Sequence, residues 1–130
     1  MYAIERTPDG FKLTFGGIMS RSEMEAWVEE SKKTLPRIDG KFSIIVDMRT
    51  LAPLLPDVQN VMVAGQRLYR TRGMTRSAVI LNDMGTTAQF QRIARESGID
   101  AWERYIDASA TPNWMRVAEA WCFHGTEPAS

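Results

Sequence analysis

Three aspartates, four clustered arginines and a cysteine close to a histidine are the residues in this chain whose types and spacing could do chemistry. Asp47, Asp83 and Asp107 each close a short apolar run, so their carboxylates could converge on one rim, bind a divalent cation or share acid–base work. Aspartate is equally the ordinary residue of strand-end turns and caps. None of the three has another catalytic group type beside it, so the structural role is the expectation. Arg67, Arg70, Arg72 and Arg76 crowd the end of one predicted helix and the turn at Gly73. They suit a helix C-terminus, whose partial negative charge they complement, and the simpler reading is a solvated face. The same guanidinium groups could hold a phosphate or other anionic head group in bidentate fashion, with Arg67 and Arg70 as the ligand candidates. Cys122 and His124 are the only cysteine and histidine. Structural zinc takes about four ligands, so no metal is expected, and Cys122 falls on an apolar helical stripe where a core thiol is the commoner case. Gly16 and Gly17 follow a strand, but no phosphate-loop or dinucleotide fingerprint surrounds them. No cofactor is expected.

These residues depend on a regular alternation of elements. The centre is an apolar run over residues 42–48, bounded by Asp39 and Gly40 before it and by Pro53 and Pro56 after it. It reads as a strand buried on both faces inside a parallel sheet. Ligands and partners of such sheets bind beyond the carboxyl ends of the strands, which draws attention to Asp47, Arg49, Thr50 and the loop over residues 51–56. That loop holds Leu51, Leu54 and Leu55. They either close the sheet against the next helix or form a contact surface, since exposed apolar patches mark interaction sites.

Upstream, Tyr2 and Ile4, then Phe11, Leu13 and Phe15, alternate with polar neighbours around Pro8, Asp9 and Gly10, a hairpin pattern. Ser20 and Ser22 each have a glutamate three residues on, Glu23 and Glu25, which predicts a capping box. Met24, Trp27, Val28, Ser31 and Leu35 share the inner face of that helix, and Pro36 stops it. Asp57 is the expected N-cap of a second helix with Val58, Val61, Met62, Gly65, Leu68 and Tyr69 on one face. Gly65 there permits close approach of a neighbour. A strand over residues 77–82 follows. Next comes a helix capped by Thr86 or Thr87, carrying Phe90, Ile93, Ala94 and Ser97 inward and ending at Gly98 and Ile99 in a Schellman motif. A strand over residues 102–106 leads to Thr111 and Pro112, a predicted helix start, with Trp114, Val117, Ala118, Trp121 and Cys122 inward. The expectation is an α/β fold of order β-β-α-β-α-β-α-β-α, with a single domain over residues 1–124 and a loose tail over 125–130.

The bulk properties exclude several classes. A chain of 130 residues, 44% hydrophobic and 25% charged, supports one ordinary core. Sixteen basic residues balance sixteen acidic ones, so no global field directs it to nucleic acid. No apolar run approaches a membrane-spanning length and no secretory signal is evident. With a lone cysteine, a cytoplasmic protein is the expectation.

The order of elements, with residues 44–47 before the second helix and 78–81 before the third, resembles the STAS and anti-anti-sigma-factor fold. More specifically it is similar to the single-domain bacterial proteins called STAS-like or SpoIIAA-like. The closing segment, from Phe90 to Ala94, then Trp102 to Asp107, then Pro112 to Trp121, carries the same likeness. The resemblance spans nearly the whole chain and rests on element order and hydrophobic pattern. It implies a βαβ superhelix: a mixed, mostly parallel five-stranded sheet with an antiparallel first edge strand and four helices. Signalling members carry a phosphorylatable serine in an Asp-Ser-Ser/Thr-Gly segment where the central strand meets its following helix. Here Asp47 matches the aspartate, the serine and glycine are missing, and Thr50 is an acceptor candidate by position only. The fold also resembles the lipid-binding CRAL-TRIO proteins, for whose full pocket this chain is too short. The functional expectation is a non-enzymatic regulatory or protein-interaction domain. It would present Asp47, Arg49, Thr50, Leu51, Leu54 and Leu55 to a protein partner or to a second copy. The alternative is a binder of a small apolar or anionic ligand at Arg67 and Arg70.

Overall fold

A computed structural model describes residues 1–128 of the chain, as five strands and four helices in the expected order. The strands are β1 (Tyr2–Thr7), β2 (Gly10–Gly17), β3 (Phe42–Leu51), β4 (Met74–Leu81) and β5 (Glu103–Asp107). They lie side by side in sequence order, β1 antiparallel to β2 and every later pair parallel. The helices are α1 (Arg21–Thr34), continued by a 3-10 turn over Leu35–Arg37, α2 (Pro56–Thr71), α3 (Met84–Ser97) and α4 (Trp114–His124). The five-stranded mixed α/β sheet is thus as expected.

Alternation along the strands sorts side chains into two cores. Phe11, Leu13 and Phe15 of β2, with Phe42, Ile44, Val46 and Met48 of β3, face α1, α2 and α3 in one large cluster. Each of those helices is a crossover between neighbouring parallel strands, and crossovers of one hand place successive helices on one face. On the other face α4 stands alone, packing Ala118, Trp121 and Cys122 against Ala78, Ile80 and Ile106. β3 is the central strand, with parallel neighbours on both sides and Phe42 through Met48 largely buried.

The helix ends show local chemistry at work. Ser20 caps α1 in a full capping box with Glu23, as its spacing predicts. At α2 the cap position is Leu55, with Pro56 first in the helix and Asp57 inside the first turn, so the expectation of Asp57 as N-cap is corrected. Proline at the first position needs no N–H partner, and it sets the start. At α3, Asp83 is the cap: its carboxylate accepts from both the backbone N–H and the hydroxyl of Thr86. That corrects the assignment to Thr86 or Thr87. α4 starts at Trp114, after Asn113, later than Thr111 and Pro112 predict. Gly98 ends α3 with φ 85° and accepts the expected role, its N–H and that of Ile99 both bonding to Ala94 O. Of the tail over residues 125–130, residues 129 and 130 lie outside those described. Glu127 forms a bidentate pair with Arg104 at 2.7 and 2.8 Å.

Candidate functional site

The carboxyl ends of β2, β3 and β4 meet at one rim. β3 runs further than its apolar centre: Thr50 and Leu51 pair with Gly16 and Gly17 of β2, and Ala52 N–H continues the ladder to Gly17 O. Asp47, Arg49 and Thr50 are therefore strand residues and not loop residues. Asp47 is nearly buried and is gripped by Arg49 through two guanidinium contacts at 3.0 Å and the backbone N–H at 3.1 Å. Burial works to raise its carboxyl, but the Arg49 side chain and N–H outweigh it and hold it below the usual range. The Arg49 guanidinium lies 4.3 Å from the centre of the Trp114 ring, so this pair ties β3 to α4.

Leu51 and Leu54 point inward and belong to the core, and only Leu55 of the three leucines stands in solvent. The part of the expected contact surface assigned to Leu51 and Leu54 is thereby corrected: they close the sheet end. The turn is held from outside by two glutamines. Gln89 of α3 accepts from Leu54 N–H at 2.8 Å and donates to Leu54 O at 3.1 Å. Gln59 donates to the same carbonyl at 2.8 Å and itself accepts from Arg92. Paired backbone groups on both sides make the turn a fixed mount for Leu55.

Two further apolar side chains stand at the same rim. Ile18 follows β2 and is 87% exposed, Leu55 follows β3 and is 67% exposed, and Met84 follows β4 and is 87% exposed. Three of the four βα connections thus contribute one each, Met84 as the first residue of α3. Met1 is at this end too, because β1 runs antiparallel and Met1 N and O both pair with Gly16. Neither Ile18 nor Met84 stood out in the sequence. The available signal was an apolar residue between a strand end and the inward stripe of the following helix.

The other rim aspartates are used locally. Asp83 caps α3, and its carboxyl is lowered by the Thr86 hydroxyl and N–H. Asp107 accepts from the hydroxyl and N–H of Ser109, which lower it likewise. Among the described residues no three His, Cys, Asp or Glu side chains gather so as to hold a metal ion. No described helix is long and apolar enough to cross a membrane.

The arginine cluster divides. Arg67 turns toward α3 and donates to Glu96 O at 2.8 Å. Arg70 turns the other way, to the amino ends of the strands, where its guanidinium bonds Met74 O and stacks 3.9 Å from the centre of the Trp102 ring. There, with Lys41 and Arg76, it lines a cavity of about 630 Å³. Arg67 and Arg70 thus do not form one site. The Cys122 thiol is buried against β3 and donates to Ile44 O at 3.3 Å. Burial pushes it up to about 12, which is far from a reactive thiolate.

No family model matches the chain, and no curated protein and no solved structure matches it significantly.

Proposed function

We propose that the chain is a non-enzymatic, STAS-like interaction domain that associates through the carboxyl rim of its sheet. The observation that carries this is the set Ile18, Leu55 and Met84, one large exposed apolar side chain following each of the successive strands β2, β3 and β4. Single exposed apolar residues are ordinary, whereas a contiguous set marks an interaction surface. The turn before Leu55 is held by Gln59 and Gln89, so ordering that side chain on contact costs little. The STAS-like reading is supported by βα units stacked in sequence order behind an antiparallel first strand. Thr50 is exposed but lies inside β3, ahead of the start of α2 at Pro56, which separates it from the strand–helix junction used by the signalling members.

The occupant best fitted to the row is a second copy of the chain. β2, β3 and β4 are neighbours about 4.8 Å apart, and Leu55 follows the middle strand of the three. A two-fold axis through Leu55 sets it against the partner's Leu55 and places Ile18 against the partner's Met84, the self-complementary pattern of an isologous contact. Arg49 and Thr50 flank it with polar groups. Three side chains make a contact smaller than an obligate interface, so the association is reversible.

Light scattering over a concentration series tests this. The native chain should rise from its 14.7 kDa monomer toward a dimer, and Ile18→Asp/Leu55→Asp/Met84→Asp should stay monomeric with an unchanged circular dichroism spectrum. A mass that is independent of concentration in the native chain would remove self-association through the rim. Leu54 is unsuitable for this test, because an aspartate there would unfold the core instead.

A further inference from the structure

We infer that the cavity at the amino ends of β3 and β4, at the opposite pole from the rim, is a binding site for a small phosphomonoester with a planar or apolar body. Its wall brings together three cations from separate parts of the chain: Lys41 just before β3, Arg70 near the end of α2 and Arg76 in β4. None of the three has a carboxylate within salt-bridge distance among the described residues; the five arginines and lysines that do are Arg21, Lys32, Arg49, Arg92 and Arg104, none of them on this wall. Uncompensated cations lining one concave surface repel each other, a cost that an anion removes.

The balance of charge survives the opposing terms. Asp9 is the one acidic residue on the wall. The C-termini of α2 and α4 also face this pole, and each contributes about half a negative charge at most. Three full positive charges leave the wall net positive. Helix-end compensation alone would need fewer, and near the end of α4 Trp121 O and Ala120 O are already met by the N–H groups of Gly125 and Thr126.

Two arginines are pre-set for an acceptor with several oxygens. Arg70 is oriented by Met74 O at 2.6 Å and by the Trp102 ring. Arg76 lies 5.5 Å from the centre of the Trp121 ring. Trp121 is fixed in turn by its N–H, shared between Ser77 O and Trp102 O at 3.1 and 3.2 Å. Guanidinium groups held on aromatic faces keep their outer N–H donors for ligand, and the fork matches phosphate oxygens. The cavity, about 630 Å³, is far larger than one phosphate and lies within the range of small-molecule sites. Trp102 and Phe123, both on its wall, are among the few large apolar side chains left exposed, and they provide the surface for the ligand body.

Calorimetric titration with four probes tests the site. Pyrophosphate supplies charge alone and adenosine a ring alone. Adenosine monophosphate and short-chain phosphatidic acid supply phosphate on a planar and on an acyl body. At least one of the last two should bind at least tenfold more tightly than both pyrophosphate and adenosine, and added salt should weaken it. Which of them binds identifies the body. Arg76→Gln should weaken that binding by about tenfold, equivalent to ~1.4 kcal/mol, and Arg70→Gln/Arg76→Gln by more. Arg70 also holds a backbone carbonyl, so Arg76→Gln is the decisive variant, read alongside an unchanged melting temperature. Absence of binding by all four probes, or unchanged affinity in Arg76→Gln, overturns the assignment. The rim variant should bind the probes as the native chain does.

Discussion

Gly65→Ala should destabilise the chain by about 3 kcal/mol, the upper range for overpacking a filled core. In an exposed helix the same change stabilises by about 1 kcal/mol, because glycine is the costlier helix residue. Gly65 is buried in α2 where α1 crosses it, and a Cβ there would run into the ring carbons of Trp27. That ring is confined on two sides. It is packed edge-on to Phe15 with centroids 5.0 Å apart and stacked on Tyr69 at 5.4 Å. Tyr69 is pinned by a 2.7 Å hydrogen bond with Ser31, which also donates to Trp27 O. Urea denaturation of a double-mutant cycle with Trp27→Leu separates the terms. In the Trp27→Leu background Gly65→Ala should change sign and stabilise. A destabilisation of equal size in both backgrounds would show that the contact with Trp27 is not the cause.

Glu103→Gln should stabilise the chain at pH 8 by about 3 kcal/mol and leave it unchanged near pH 4. Glu103 is 4% exposed at the start of β5, and burial pushes its carboxyl up from 4.5 to about 7 against the lowering effect of Tyr105 and Ser77. Below the unfolded value both states hold the proton. Between 4.5 and about 7 the unfolded chain releases it and the folded chain keeps it, so stability declines as pH rises through that window. Above it the native state holds a buried carboxylate. The hydrogen bonds fit a neutral group. Ser77 donates to Oε1 at 2.9 Å, and Oε2 lies 2.6 Å from the Tyr105 hydroxyl, which is also 3.0 Å from Phe90 O. A protonated Glu103 donates to Tyr105, which donates to Phe90 O. A glutamine amide makes the same chain. Urea midpoints at pH 4, 6 and 8 for both proteins give the difference directly. Parallel profiles would show that Glu103 does not titrate within the folded state.

Local chemistry made much of this fold legible. The capping box at Ser20 and Glu23, the hairpin around Asp9 and Gly10, and the glycine ending at Gly98 each depend on a few adjacent residues. The apolar run over residues 42–48 marked the central strand because burial on both faces leaves few positions for polar side chains. Caps with two eligible residues were not decided locally: Asp83 and Thr86 are both capping types, and the start of α3 depends on which one the strand end delivers. Leu51, Leu54 and Leu55 are alike in type, and only the turn held by Gln59 and Gln89 determines that the first two go inward. The extension of β3 to Leu51 required the length of β2 beside it. The cationic cavity was the least legible feature. Arg70 and Arg76 were conspicuous, but their partners Lys41 and Trp102 come from other loops, and no periodicity links them. Glu103 gave no sign, since a charged residue beginning a short strand is ordinary and its burial follows from facing the core space shared with Gln66, Tyr69 and Ile99.

The side-by-side arrangement of the strands in chain order bears on how the protein is made. Each new strand docks onto the one synthesised just before it, so no hydrogen-bonding edge must await a distant, later segment. During translation the sheet can grow one βα unit at a time as the nascent chain emerges. Only the uncovered face has to wait, until α4, which follows all five strands, arrives to shelter Ala78, Ile80 and Ile106.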